Sequence, residues 1–192
     1  MTRKHYVFIT VFAAATFAGL SAVVAILAPP PLLIWNASAS APIGLYRIHP
    51  DRDPPAGALV AVTPPERWSR WMAGRGYLPE GVPLLKAVAA KAGQRVCRNG
   101  DAVSVDARPV ASARARDSQG RPLPVWQGCR TLKRGEIFLL NPSAPDSLDG
   151  RYFGPLPIST VIGRATPLHL RAASQTPSTP ETKEIDYADE HL

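Results

Sequence analysis

Apolar residues fall into one long block followed by many short ones. Tyr6–Ala28 is 23 residues without a charge; as a helix it would span roughly 34 Å, enough to cross a bilayer. Pro29-Pro30-Pro31 then stops it. Beyond that point the apolar runs shorten to strand length. Gly44–His49 and Ala58–Thr63 predict short strands, as do Leu84–Ala90 and Arg95–Arg98, divided by a turn at Gly93. Asn99-Gly100-Asp101 opens a further hairpin in which Val103 and Val105 alternate with polar residues. Glu136–Leu140 predicts a strongly apolar strand, and Ser159–Gly163 and Leu168–Leu170 two closing ones. Pro64–Gly74 reads instead as a short helix, with prolines in its first turn and Gly74 at its stop. Its Trp68 and Trp71 share one face, which either the core or the bilayer interface would accept. Residues 107–122 are polar and Arg-rich and predict a mobile loop, and the acidic Ser/Thr/Pro-rich stretch beyond Ala172 predicts disorder. The expected fold is mainly β, an antiparallel-sheet domain over 36–171. Before it come a cytoplasmic segment 1–5, a transmembrane anchor 6–28 and a juxtamembrane linker 29–35; after it comes a tail, 172–192.

Composition sharpens this outline. The 192-residue chain holds 21 prolines, which argues against a helical bundle. Its net charge is +7, carried by the body, because the tail sets Glu181, Glu184, Asp186, Asp189 and Glu190 against Lys183. A basic body suits nucleic acid or anionic lipid headgroups, and the preceding apolar span favours lipid or a neutral role in solubility, with no nucleic acid contacted directly. Arg3 and Lys4 precede the span and no charge follows it before Arg47, so the body is expected outside the cytoplasm, with Trp35 and Tyr46 at headgroup level. Ala37-Ser38-Ala39 also resembles a signal-peptide cleavage site, but the apolar run is longer than a cleavable signal needs, so a retained anchor is expected. Cys97 and Cys129 lack C-x-x-C spacing, which argues against zinc. In an exported domain they would pair, closing a loop of roughly 33 residues and adding about 3–4 kcal/mol; two buried free thiols are the alternative.

The candidate chemistry begins with Ser40, in Asn36-Ala-Ser-Ala-Ser-Ala-Pro-Ile-Gly-Leu-Tyr46. Pro42 and Gly44 bend the chain and present its hydroxyl. Ser38, two positions earlier, would face the same side of an extended segment and join the Ser40 N–H as an oxyanion donor. Lys86 lies in the apolar Leu84-Leu-Lys-Ala-Val-Ala-Ala90. Facing the interior, it would be desolvated, lose basicity and become able to accept the Ser40 proton; facing out, it is an ordinary strand lysine. Lys91 is expected in solvent. In Asp146-Ser-Leu-Asp-Gly-Arg-Tyr-Phe-Gly-Pro155, Ser147 would orient the Lys86 amine, and Asp149 would pair with Arg151 or another cation and pin the loop. Of the four histidines only His49 and His169 lie in the body, with no local support for a triad, and there is no Walker-type loop or H-E-x-x-H. No metal or cofactor is expected.

In this order after an anchor, the three blocks resemble the type I signal peptidase family of Ser/Lys proteases. Ser38-Ala-Ser40-Ala-Pro42 is similar to its serine box, Lys86–Val96 to its lysine box, and Asp146–Gly154 to its D-S-x-D-S-R-x-x-G box. The departures are Ala41 in place of methionine, Ala92-Gly-Gln94 in place of Pro-Gly-Asp, and Asn141-Pro-Ser-Ala-Pro145 before the third box. With Arg75-Gly-Tyr-Leu78, Pro83-Leu-Leu-Lys86 and Val96-Cys97-Arg98, they are similar to the conjugative TraF-type, pilin-processing subgroup. The resemblance implies a signal-peptidase-like catalytic domain with Ser40 as nucleophile, Lys86 as general base, Ser38 as oxyanion donor, Ser147 orienting the lysine, and Asp149 with Arg151 as support. It supports a Cys97–Cys129 disulfide. It further implies a single-pass serine endopeptidase of the bacterial inner membrane, facing the periplasm. Its partners would be a precursor protein, the lipid bilayer and components of a conjugation or type IV secretion apparatus. The substrate would be a pilin, released by hydrolysis or by cyclisation; removal of signal peptides in general, or a non-catalytic tethered role in secretion, are the alternatives.

Overall fold

The computed structural model describes residues 3–27 and 33–171. The tail read as disordered lies outside the described residues. Helix α1 (Arg3–Leu27) carries the apolar block, is exposed along its length, and is long and apolar enough to cross a membrane.

The rest is built of short antiparallel strands joined by tight turns. In chain order they are β1 (Leu33–Asn36), β2 (Gly44–His49), β3 (Leu59–Val62), helix α2 (Glu66–Gly74), β4 (Leu84–Ala90), β5 (Arg95–Asn99), β6 (Ala102–Val105), β7 (Arg108–Ser112), β8 (Gly128–Thr131), β9 (Glu136–Leu140), the single turn α3 (Gly150–Phe153), β10 (Leu156–Pro157) and β11 (Val161–Leu170). Seven strands form a sheet in the order β1-β2-β11-β3-β4-β9-β10, and four form a second, β7-β6-β5-β8. β4 lies inside the larger sheet, between β3 and β9. Its apolar run is therefore covered on both faces, unlike the alternating pattern of a strand with one wet face. Ala90, Val96, Val103, Phe138 and Leu140 pack together where the two sheets meet, and Val60, Val62, Met72, Val88, Ile137 and Phe153 form the core below α2.

Several expectations are corrected. The sheet begins at Leu33, within the stretch read as a linker, because Leu33–Asn36 pairs with β2. Residues 107–122 are not a single mobile loop. Arg108–Ser112 is a strand, and Asp106 and Ala107, both at positive φ, form the two-residue turn before it. That turn escapes notice because it lacks the glycine such geometry favours. The two closing strands are one, β11, with a register shift at Pro167–His169 where proline removes a ladder N–H. β8, wholly exposed, carries no apolar period to read. Tyr46 is buried, its hydroxyl donating to the Pro42 carbonyl at 2.7 Å, rather than lying at headgroup level. Of the two settings open to Trp68 and Trp71, the core takes them: they pack inward, on Phe153 and Tyr77.

Candidate active site

The β1–β2 connection owes its shape to Asn36, the buried last residue of β1. Its Nδ2 donates to the carbonyls of Ser38, Ala41 and Pro42 at 2.9–3.0 Å. Its Oδ1 accepts from the Ser38 N–H at 3.1 Å and the Ser38 hydroxyl at 3.0 Å. Ser38 Oγ lies 3.0 Å from Ser40 Oγ. A hydroxyl has one proton, and that of Ser38 goes to Asn36, so Ser40 is the donor between the two serines. The serines thus meet because Asn36 pulls the chain into a turn, rather than by alternation along an extended strand.

Lys86 sits at the centre of β4 opposite Val60, on the face it shares with Val88. It is buried, and its Nζ donates to Ser147 Oγ at 2.8 Å. Burial lowers its pKa from 10.5 to about 8; the Asp149 carboxylate opposes that shift and the Arg151 guanidinium adds to it. Lys91, expected in solvent, pairs with Asp53 at 2.6 Å.

Ser147 is held by the loop around it. Asp149 and Arg151 are both buried and form a two-pronged pair, Nε to Oδ1 and Nη2 to Oδ2, each at 2.9 Å. Asp149 also accepts from the Asn141 and Arg151 backbone N–H groups. Arg151 spends its remaining donors on the carbonyls of Ala144, Pro145 and Ser147, and its own carbonyl accepts from buried Arg98 on β5. The loop packs so closely that a Cβ on Gly150 would stand 2.7 Å from the Leu139 carbonyl oxygen.

Asn141, just past β9, joins the three segments. Its Nδ2 donates to the Ser40 carbonyl at 2.6 Å and the Leu85 carbonyl at 2.9 Å; its Oδ1 accepts from the Ala87 N–H at 3.0 Å. The sequence reading singled out neither Asn36 nor Asn141 as a site residue. Each is a lone asparagine ending an apolar strand, Leu-Ile-Trp-Asn and Ile-Phe-Leu-Leu-Asn, and a short amide placed there needs partners that only other segments can supply.

Ser38, Ser40, Lys86 and Ser147 line one cavity of about 250 Å³, with apolar walls that include Met72, Leu84, Leu123 and Leu148. Among the described residues no hydrogen bond joins Ser40 Oγ to Lys86 Nζ: each is engaged by a neighbouring serine. Asp149 and Arg151 stand behind the cavity rather than in it. Cys97 and Cys129 are bonded across β5 and β8, in the second sheet. Among the described residues no cluster of His, Cys, Asp or Glu suited to a metal ion occurs. The arrangement offers a hydroxyl, a desolvated amine and an apolar groove, the requirements of acyl transfer on a peptide.

Residues 3–169 match the family described as signal peptidase, peptidase S26. A probable conjugal transfer protein TraF of Sinorhizobium fredii is 41% identical over 140 residues, covering 68% of this chain and 73% of its own length. The conjugal transfer protein TraF of Agrobacterium fabrum is 38% identical over 145 residues, covering 69% and 80%. A plasmid transfer protein TraF of Escherichia coli is 33% identical over 140 residues, covering 66% and 78%. Among solved structures, a signal peptidase I from Enterococcus faecalis superposes with a TM-score of 0.36 at 18% identity, covering 59% of this chain and 97% of that one.

Proposed function

The chain belongs to the signal peptidase S26 family, and on that premise we propose that it is a serine endopeptidase of conjugal transfer, using Ser40 and Lys86 to cleave an exported pilin precursor. The observation that carries the reading is Lys86: a buried amine with its pKa brought down to about 8, in the same cavity as a serine held on a tight turn. A lysine so desolvated holds a neutral fraction near physiological pH, which a general base requires.

In the proposed reaction Ser40 Oγ turns from Ser38 to Lys86 and attacks the scissile carbonyl as Lys86 Nζ takes its proton. Ser147, bonded to that amine, fixes its direction. The Ser40 N–H donates to no other group among the described residues and is free to meet the oxyanion. Ser38 Oγ joins it by exchanging its bond to Asn36 for one to the substrate. Lys86 then protonates the leaving amine, and water, or a peptide amine where the product is cyclised, resolves the acyl-enzyme. Arg3 and Lys4 at the start of the apolar helix support an inner-membrane anchor with the strand-rich domain in the periplasm. The TraF names of the relatives support a role in conjugation.

The test is made in a conjugating strain lacking the gene and complemented with the parent, Ser40→Ala or Lys86→Met. Both variants should accumulate uncleaved pilin precursor on gels and reduce transfer at least about 100-fold, as expected when a nucleophile or its base is lost. Normal processing by both variants would sink the Ser/Lys mechanism.

A further inference from the structure

The segment expected to be a mobile loop is a structured wall of the cavity. After β7 the chain doubles back at Asp117–Gly120, with Arg116 bridged to Pro122 and the Leu123 N–H donating to the Ala115 carbonyl at 3.0 Å. Asp117 binds the hairpin to the end of α2. It accepts from the Tyr77 hydroxyl and from Arg121 Nε, while Arg75 and Arg121 each donate to the other segment's backbone, at 2.7 and 2.9 Å. Burial alone would raise the Asp117 carboxyl, but the hydrogen bonds from Tyr77 and Arg121 outweigh it and hold the group below its ordinary range.

This wall carries one guanidinium without an ionic partner among the described residues. Besides Lys86, the ionised groups lining the cavity are Arg114, Arg116, Asp117 and Asp146. Both carboxylates are engaged within the protein, Asp146 by Arg114 and Asp117 by Arg121. Arg116 forms no ion pair among the described residues; its Nη1 donates to the Gly120 carbonyl at 2.6 Å. An exposed guanidinium, on a backbone anchored at both sides and with donors to spare, is ready to take a carboxylate in a forked geometry.

We propose that Arg116 forms a subsite for a substrate carboxylate, in the same cavity as Ser40 and Lys86. The inference rests on the peptidase reading. The carboxylate belongs to an acidic side chain flanking the scissile bond or to the terminus of a short cleaved segment, which present the same chemistry to a guanidinium.

The full chain in detergent is given a pool of randomised dodecapeptides, prepared once as free acids and once as C-terminal amides, and the cut peptides are read by mass spectrometry. The parent should enrich Asp and Glu at one position relative to the cut, or prefer free acids over amides, by roughly fivefold, as an exposed charge pair provides. Arg116→Ala should abolish that preference, and Arg116→Glu should replace it with enrichment of Lys and Arg. Preference confined to acidic positions in both pools identifies the side chain; preference for free acids identifies the terminus. Cleavage that depends on Ser40 but shows no anionic preference in the parent, or keeps it in both Arg116 variants, would overturn the subsite and leave the peptidase reading intact. Cleavage that persists in Ser40→Ala would overturn both.

Discussion

Lys86 works against the stability of the fold. With its amine near pKa 8 inside and 10.5 when exposed, the unfolded chain holds more protons than the folded one between those values, so folding gains stability as pH rises through that window. Two outcomes follow. On the proposed mechanism, cleavage should climb about tenfold per pH unit below 8 and level off above it, since a general base acts in its neutral form. Lys86→Met should melt higher than the parent near pH 7, with the difference shrinking as pH approaches 10.5; scanning calorimetry across pH 7–10.5 reads this directly. Asn141 acts in the opposite sense. Removing its amide strands the Ser40 and Leu85 carbonyls and the Ala87 N–H. Asn141→Ala should therefore lower stability by about 2–4 kcal/mol in a urea titration and lower cleavage further than the population loss explains.

At the scale of elements, the turns and the apolar strands separate clearly. Gly44–His49, Leu84–Ala90 and Glu136–Leu140 were readable from apolar period and flanking punctuation, because burial of a strand is written into its own residues. β7 was not, because Asp106-Ala107 makes a left-handed turn without glycine. There Asp106 offsets the strain by accepting from the Arg95 N–H and Gln94 Nε2, each at 2.8 Å. Ala107 has no such compensation at φ 65°. Ala107→Gly should stabilise the domain by about 0.5–1 kcal/mol, seen as a higher urea midpoint with unchanged slope. β8 and the Asp117–Gly120 hairpin were unreadable for a further reason: their order comes from partners on other elements, such as Tyr77 and Arg75 for the hairpin.

The whole molecule joins two sheets through one shared core, and the disulfide lies in the smaller. Cys97 and Cys129 are 32 residues apart in sequence, and Arg98, the residue next to Cys97 on β5, donates to the Arg151 carbonyl of the site loop. Removing the bond by Cys97→Ser with Cys129→Ser should cost about 2–4 kcal/mol through the freed loop, measured by chemical denaturation, and should lower cleavage as the Arg151 loop loosens. By itself the sequence determined the apolar N-terminal helix, the strand-rich body and the three short blocks holding Ser40, Lys86 and Asp149, since period, residue type and turn chemistry act over a few neighbouring positions. Only the tertiary structure decided that Lys86 is buried on a central strand, that its amine meets Ser147 rather than Ser40, and that Asn36 and Asn141 hold the serine turn. It also decided that an arginine-rich stretch walls the cavity. The physical reason is distance along the chain: Asn141 and Ser40 are 101 residues apart, and desolvation and hydrogen bonding between such segments exist only once the sheets have closed on each other.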